Sequence, residues 1–104
     1  MNTQEIIKDQ IEQNTIILFM KGTPQFPQCG FSSKAVMFLT SCGVKFASVN
    51  VLENPEIRQG IKEYSNWPTI PQLYVKGQFV GGSDIMAEMY ESGELQVLIK
   101  DAVA

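Results

Sequence analysis

The stretch Ile16-Ile17-Leu18-Phe19-Met20-Lys21-Gly22-Thr23-Pro24-Gln25-Phe26-Pro27-Gln28-Cys29-Gly30-Phe31-Ser32 decides how the chain folds. Its first five residues are a short, wholly apolar run of strand formers, which suits a central strand covered on both faces. Gly22, Pro24 and Pro27 break the segment that follows into a loop. A helical pattern then opens at Cys29: from Phe31, residues Ala35, Val36, Phe38, Leu39 and Cys42 hold one face, and Gly43 stands where a left-handed C-cap glycine belongs. A cysteine at such a junction is activated, because a helix N-terminus offers unpaired N–H groups and the positive end of the helix dipole, both of which favour the thiolate. The fourth position of Cys29-Gly30-Phe31-Ser32 is a serine, so no second thiol lies one turn away.

Upstream, Ile6, Ile7, Gln10 and Ile11 recur at helical spacing behind the capping candidates Asn2 and Thr3, which predicts a helix ending near Asn14. Downstream, Val44 to Val51 reads as a strand. Asn54-Pro55-Glu56 supplies an N-cap, a first-turn proline and an early acid for a third helix running to about Tyr64. Pro71 to Val75 and Gln78 to Val80 flank Lys76-Gly77 as a hairpin. Gly81-Gly82-Ser83-Asp84 opens a last helical region, Ile85 to about Val97, with a break at Gly93. The order α-β-α-β-α-β-β-α predicts an α/β fold with a four-stranded mixed sheet and helices on both faces. All of residues 1–104 are expected to form one domain.

Composition excludes several chemistries. The chain has no histidine, which removes Cys-His catalysis and imidazole-bound zinc, and two cysteines cannot complete a structural zinc site. Lys21-Gly22-Thr23 lacks the upstream glycine of a phosphate loop. A net charge of -3 with scattered Lys and Arg argues against nucleic acid or an anionic membrane as partner. No apolar run is long enough to span a bilayer, and the N-terminal residues read as neither a secretion signal nor an Arg-rich transit segment, so a cytoplasmic location is expected. Both cysteines are then expected as reduced thiols. Cys42 lies thirteen residues beyond Cys29, about 20 Å along an intact helix, whereas a disulfide needs Cα atoms within about 7 Å. Cys42 is read as a small buried hydrophobe.

Four segments, Met20-Lys21-Gly22-Thr23-Pro24, Pro27-Gln28-Cys29-Gly30-Phe31-Ser32, Asn66-Trp67-Pro68-Thr69-Ile70-Pro71-Gln72-Leu73 and Gly81-Gly82-Ser83-Asp84, occur in the order and spacing of a known family. Across nearly its whole length the chain resembles the monothiol glutaredoxins of the Cys-Gly-Phe-Ser class. The resemblance implies a thioredoxin-like (glutaredoxin) fold and a glutathione site. It assigns Lys21 and Arg58 to the glycine carboxylate of glutathione, and Ser83 and Asp84 to the γ-glutamyl end. It implies a cis bond before Pro71 that turns the Ile70 backbone toward the sulfur. Taken alone, these residues also read as a loop lysine, a surface arginine, a trans proline at a strand start and a helix N-cap. Trp67 reads equally as a core anchor and stays outside the expected contacts. Ser83 stands where many members of the class carry cysteine.

The resemblance further implies a homodimer that bridges one [2Fe-2S] cluster through Cys29 and a glutathione thiol from each subunit. That ligand set agrees with a chain offering one suitable thiol. A BolA-type partner and iron-sulfur acceptor proteins come with it. Two further readings stay open: a glutathione-dependent thiol-disulfide oxidoreductase acting on protein-glutathione mixed disulfides, and an adaptor that binds partners through Phe26, Phe31 and Trp67. The loop Thr23-Pro24-Gln25-Phe26-Pro27 is longer than in dithiol members, which by resemblance shifts bound glutathione toward cluster ligation.

Overall fold

The computed structural model describes residues 1–104. Five helices and four strands follow one another as α1 (Thr3–Glu12), β1 (Ile16–Met20), α2 (Gly30–Ser41), β2 (Ala47–Asn50), α3 (Pro55–Ser65), β3 (Gln72–Val75), β4 (Gln78–Gly81), α4 (Ser83–Ser92) and α5 (Glu94–Val103). One mixed sheet has the order β2-β1-β3-β4: β2 runs parallel to β1, while β3 is antiparallel to both β1 and β4. No helix is long and apolar enough to cross a membrane.

All five residues of β1 are buried, as the unbroken apolar run requires of a strand with neighbours on both edges and helices on both faces. Its side chains divide by parity. Ile16, Leu18 and Met20 join Ala35 and Leu39 of α2, Met86 of α4, and Leu95 and Ile99 of α5. Ile17 and Phe19 face the other way, onto Ile7 and Ile11 of α1 and Ile57 and Ile61 of α3. Truncating a fully buried residue such as Leu18 to alanine would cost about 2–5 kcal/mol.

Helix ends follow their local chemistry. The Asn2 side chain accepts from the Glu5 amide at 2.9 Å and the Glu5 carboxylate accepts from the Asn2 amide at 3.4 Å, a capping box. Gly43 closes the α2 end at φ 69°, and Lys76 and Gly77 turn the hairpin at φ 50° and 80°. Gly93, at φ 85°, separates α4 from α5, and α5 continues past the expected end at Val97 to Val103.

Two expectations need correction. The second strand covers only Ala47–Asn50, because Val44 and Phe46 pack against the α2–α5 core from the connecting loop without joining the ladder. Asn54 precedes α3 but its side chain does not cap it; Nδ2 donates to the Asn50 carbonyl at 3.2 Å instead. Pro55 still occupies the first turn, where a missing N–H removes no helical hydrogen bond.

Candidate functional site

The loop between β1 and α2 is bonded largely to itself. Thr23 and Phe26 exchange backbone hydrogen bonds at 3.2 and 3.0 Å, and the Gln28 amide donates to the Lys21 carbonyl at 2.9 Å. Gly22 makes the tight return possible: its φ is 91°, and a Cβ there would stand 2.5 Å from the Phe26 carbonyl oxygen. Asn50, at the end of β2, ties this loop to the next one, its Oδ1 accepting from the Gly22 and Leu52 amides at 2.9 and 3.0 Å.

This bracing delivers Cys29 to the N-cap of α2 in extended conformation, φ −156° and ψ 139°. Ser32, one turn on, is fully buried, and its hydroxyl oxygen accepts from the Lys21 amide at 3.0 Å. Its own proton is then free for the Cys29 sulfur. Burial by itself raises the Cys29 pKa, but the amides of Ser32 and Phe31, the Ser32 hydroxyl and the Lys21 charge together outweigh it, and the thiol lies below its ordinary value. Cys42, at the opposite end of α2, has only burial acting on it and is pushed up. Both thiols are free, and a complete helix separates them.

Cys29 opens onto a cleft of about 370 Å³, a size suited to a small ligand. Lys21, Cys29 and Phe31, residues 67–71, and Gly82, Ser83 and Asp84 at the start of α4 contribute to its lining. The Ile70–Pro71 bond is cis, as the resemblance implied. Gly82 brings α4 close to Pro71, since a Cβ there would lie 3.2 Å from the Pro71 carbonyl oxygen. Gly82 is also the residue that caps α4, so Ser83 is the first helical residue and not the N-cap. The first bond of the helix is from the Met86 amide to the Gly82 carbonyl, which leaves the Ser83, Asp84 and Ile85 amides at the cleft without helical partners.

Of the expected contacts, Lys21, Cys29, Ile70, Ser83 and Asp84 come together around this one cleft. Arg58 does not line it; the residue is exposed on α3. Lys62, one turn further along the same helix, lines the cleft in its stead. Sequence reasoning passed over Lys62, although its spacing of four from Arg58 puts both on one helical face. Trp67 also lines the cleft, 40% exposed, with its ring tilted against Phe79 at 6.0 Å between centroids. Its indole is both anchor and wall.

A cleft lined together by two lysines, by free helix amides and by a thiol of lowered pKa suits an anion that carries or receives sulfur. The glutaredoxin family profile matches residues 16–80. Glutaredoxin 4 of Escherichia coli is 55% identical over 102 residues, covering 98% of this chain and 89% of that protein. A probable monothiol glutaredoxin, GrlA of Legionella pneumophila, is 59% identical over 88 residues, covering 85% of this chain and 99% of its own. Among solved structures, that of reduced poplar apo GrxS14 superimposes with a TM-score of 0.84 at 51% identity, covering 96% of this chain and 92% of the poplar chain. The chain belongs to the glutaredoxin family, among its monothiol members.

Proposed function

We propose that the protein binds glutathione in the Cys29 cleft, carries a [2Fe-2S] cluster as a homodimer, and passes the cluster to acceptor proteins in the cytoplasm, with a BolA-type protein as a further partner. The observation that carries this reading is one activated thiol opening onto a cleft that two lysines and the free amides at the start of α4 also line. Lys21 and Lys62 suit the glycine carboxylate, with Arg58 as an outlying charge. The amides at the start of α4 suit the γ-glutamyl carboxylate, and the Asp84 carboxylate suits the adjacent ammonium. The Ile70 backbone, which also lines the cleft, suits the peptide groups of the ligand.

The donor set fits a shared cluster. The chain holds no group of three or more His, Cys, Asp or Glu that could take a metal, and Cys42 lies at the far end of α2. Cys29 therefore supplies one thiolate of the four a cluster takes, and a second chain and two glutathione thiols supply the others. The test is reconstitution with iron and sulfide without oxygen, with and without glutathione. A coloured species that forms only when glutathione is present, and not with Cys29→Ser, supports the proposal. A coloured species of the same spectrum without glutathione contradicts it.

The low Cys29 pKa also favours a second reading, reduction of mixed disulfides. The thiolate would attack the glutathione sulfur of a protein-glutathione disulfide, forming a Cys29-glutathione disulfide and releasing the protein thiolate. A second glutathione thiolate would then attack that bond, restoring Cys29 and leaving as oxidised glutathione. Rapid steady-state deglutathionylation, abolished by Cys29→Ser, distinguishes this activity.

A further inference from the structure

Gln72 opens β3 directly after the cis proline, yet it is fully buried, an uncommon place for an uncharged amide. Its side chain is closely matched to its surroundings. Nε2 donates to the Trp67 carbonyl at 3.1 Å and to the Thr69 carbonyl at 3.2 Å. Oε1 accepts from the Tyr74 hydroxyl at 3.1 Å. Two acceptors on one side and a hydroxyl on the other admit only one orientation of the amide. Tyr74 is itself almost wholly buried, with its ring edge-on to those of Phe19 and Tyr64 at 5.8 and 6.0 Å, so the hydroxyl is held by the core. The same segment is tied a second time by the Trp67 amide, which donates to Ser65 Oγ at 3.1 Å.

We infer that Gln72 is a positioning residue for the ligand cleft: its amide, oriented by Tyr74, holds the carbonyls of Trp67 and Thr69 and thereby fixes the wall that faces Cys29. Gln72 does not line the cleft and acts only through residues 67–70, which do. The inference rests on glutathione being the ligand of that cleft. No apolar residue can replace the amide without leaving two carbonyls short of a donor, and a carboxylate would in addition repel both.

The test compares glutathione binding by the folded full-length protein and its variants between pH 5 and 8. Gln72→Leu is expected to weaken binding about tenfold at every pH, with the Cys29 alkylation profile unchanged. Gln72→Glu is expected to be weaker still at pH 8 and to recover relative to the unaltered protein as pH falls. Its buried carboxyl then takes up a proton and regains one donor for the wall, while its other oxygen still accepts from Tyr74. A purely structural role would lower the thermal stability of both variants without a pH-dependent recovery of affinity. Should both variants fail to fold, the unaltered protein decides: saturating glutathione is expected to shift the NMR signals of the Gln72 side-chain amide, which the ligand cannot touch. Equal affinity in the folded variants, or unmoved Gln72 signals, overturns the inference while leaving the glutathione reading intact. Failure of the unaltered protein to bind glutathione overturns both.

Discussion

The backbone amide of Lys21 donates to the hydroxyl oxygen of Ser32 at 3.0 Å, joining the C-terminal end of the central strand to the first turn of the helix that carries Cys29. The position where a dithiol protein would have its second sulfur is thus occupied by a buried group with a structural task. The hydroxyl satisfies a strand-end amide and offers its proton to the thiolate. Ser32→Ala removes both partners at once. It is expected to destabilise the fold by about 1–3 kcal/mol, the cost of an orphaned buried donor, and to raise the Cys29 pKa. Thermal unfolding and the pH dependence of Cys29 alkylation measure the two effects, and an unmoved alkylation profile would show that the hydroxyl does not stabilise the thiolate.

Lys21 and Lys62 line one cleft but differ in their relation to the sulfur, since only Lys21 contributes to lowering its pKa. Replacing either with glutamine is expected to weaken glutathione binding by roughly tenfold through the loss of a charge-assisted contact. Lys21→Gln should also raise the thiol pKa, whereas Lys62→Gln should leave it in place. Arg58→Gln, outside the cleft wall, is expected to change affinity less than Lys62→Gln in calorimetric titration. The reverse order would return Arg58 to the first rank of contacts.

Two glycines flanking the loop should respond in opposite ways. Gly22→Ala meets a positive φ and the Phe26 carbonyl, so a loss of about 2 kcal/mol or more is expected, with weaker glutathione binding as the loop shifts. Gly30, the first residue of α2, has open space within 4 Å of where a Cβ would stand, so Gly30→Ala should be neutral or slightly stabilising. Denaturant midpoints of the two variants compare them directly.

Burial pushes the Tyr74 hydroxyl up to about 12, from an ordinary 10.0. The neutral form is the one the fold favours, so the associated stability is complete below pH 10 and is lost as pH rises from 10 toward 12. Tyr74→Phe should flatten this alkaline decline, which unfolding midpoints at successive pH values would detect. The Cys29 shift has the opposite sign. Its contribution is present above the ordinary thiol pKa of 9.0 and disappears as pH falls through the lower folded value.

The sequence made the scaffold legible where the signal was local. The run Ile16–Met20 suited a covered strand, Gly43 and Gly93 marked helix ends that the structure closes at positive φ, and Cys29 stood at a helix start. Five of the six expected site residues meet around one cleft for the same reason, since each belongs to a short contiguous motif. What escaped notice depended on partners remote in the chain. Ser32 acquires its task from an amide eleven residues away, and Gln72 from a loop and a tyrosine that only folding brings to its two ends. Lys62 and Arg58 share a helix face, and only Lys62, one turn nearer the C-terminal end of α3, lines the cleft. Periodicity carries no information of that kind.

The proposal that Cys29 is one of four sulfur ligands drawn from two chains and two glutathiones is tested most directly by native mass spectrometry of protein purified without oxygen, together with its absorption spectrum. The predicted result is a coloured dimer whose mass includes two glutathiones and one [2Fe-2S] cluster. A colourless monomer that still binds glutathione through an intact Cys29 after supply of iron and sulfide would contradict it.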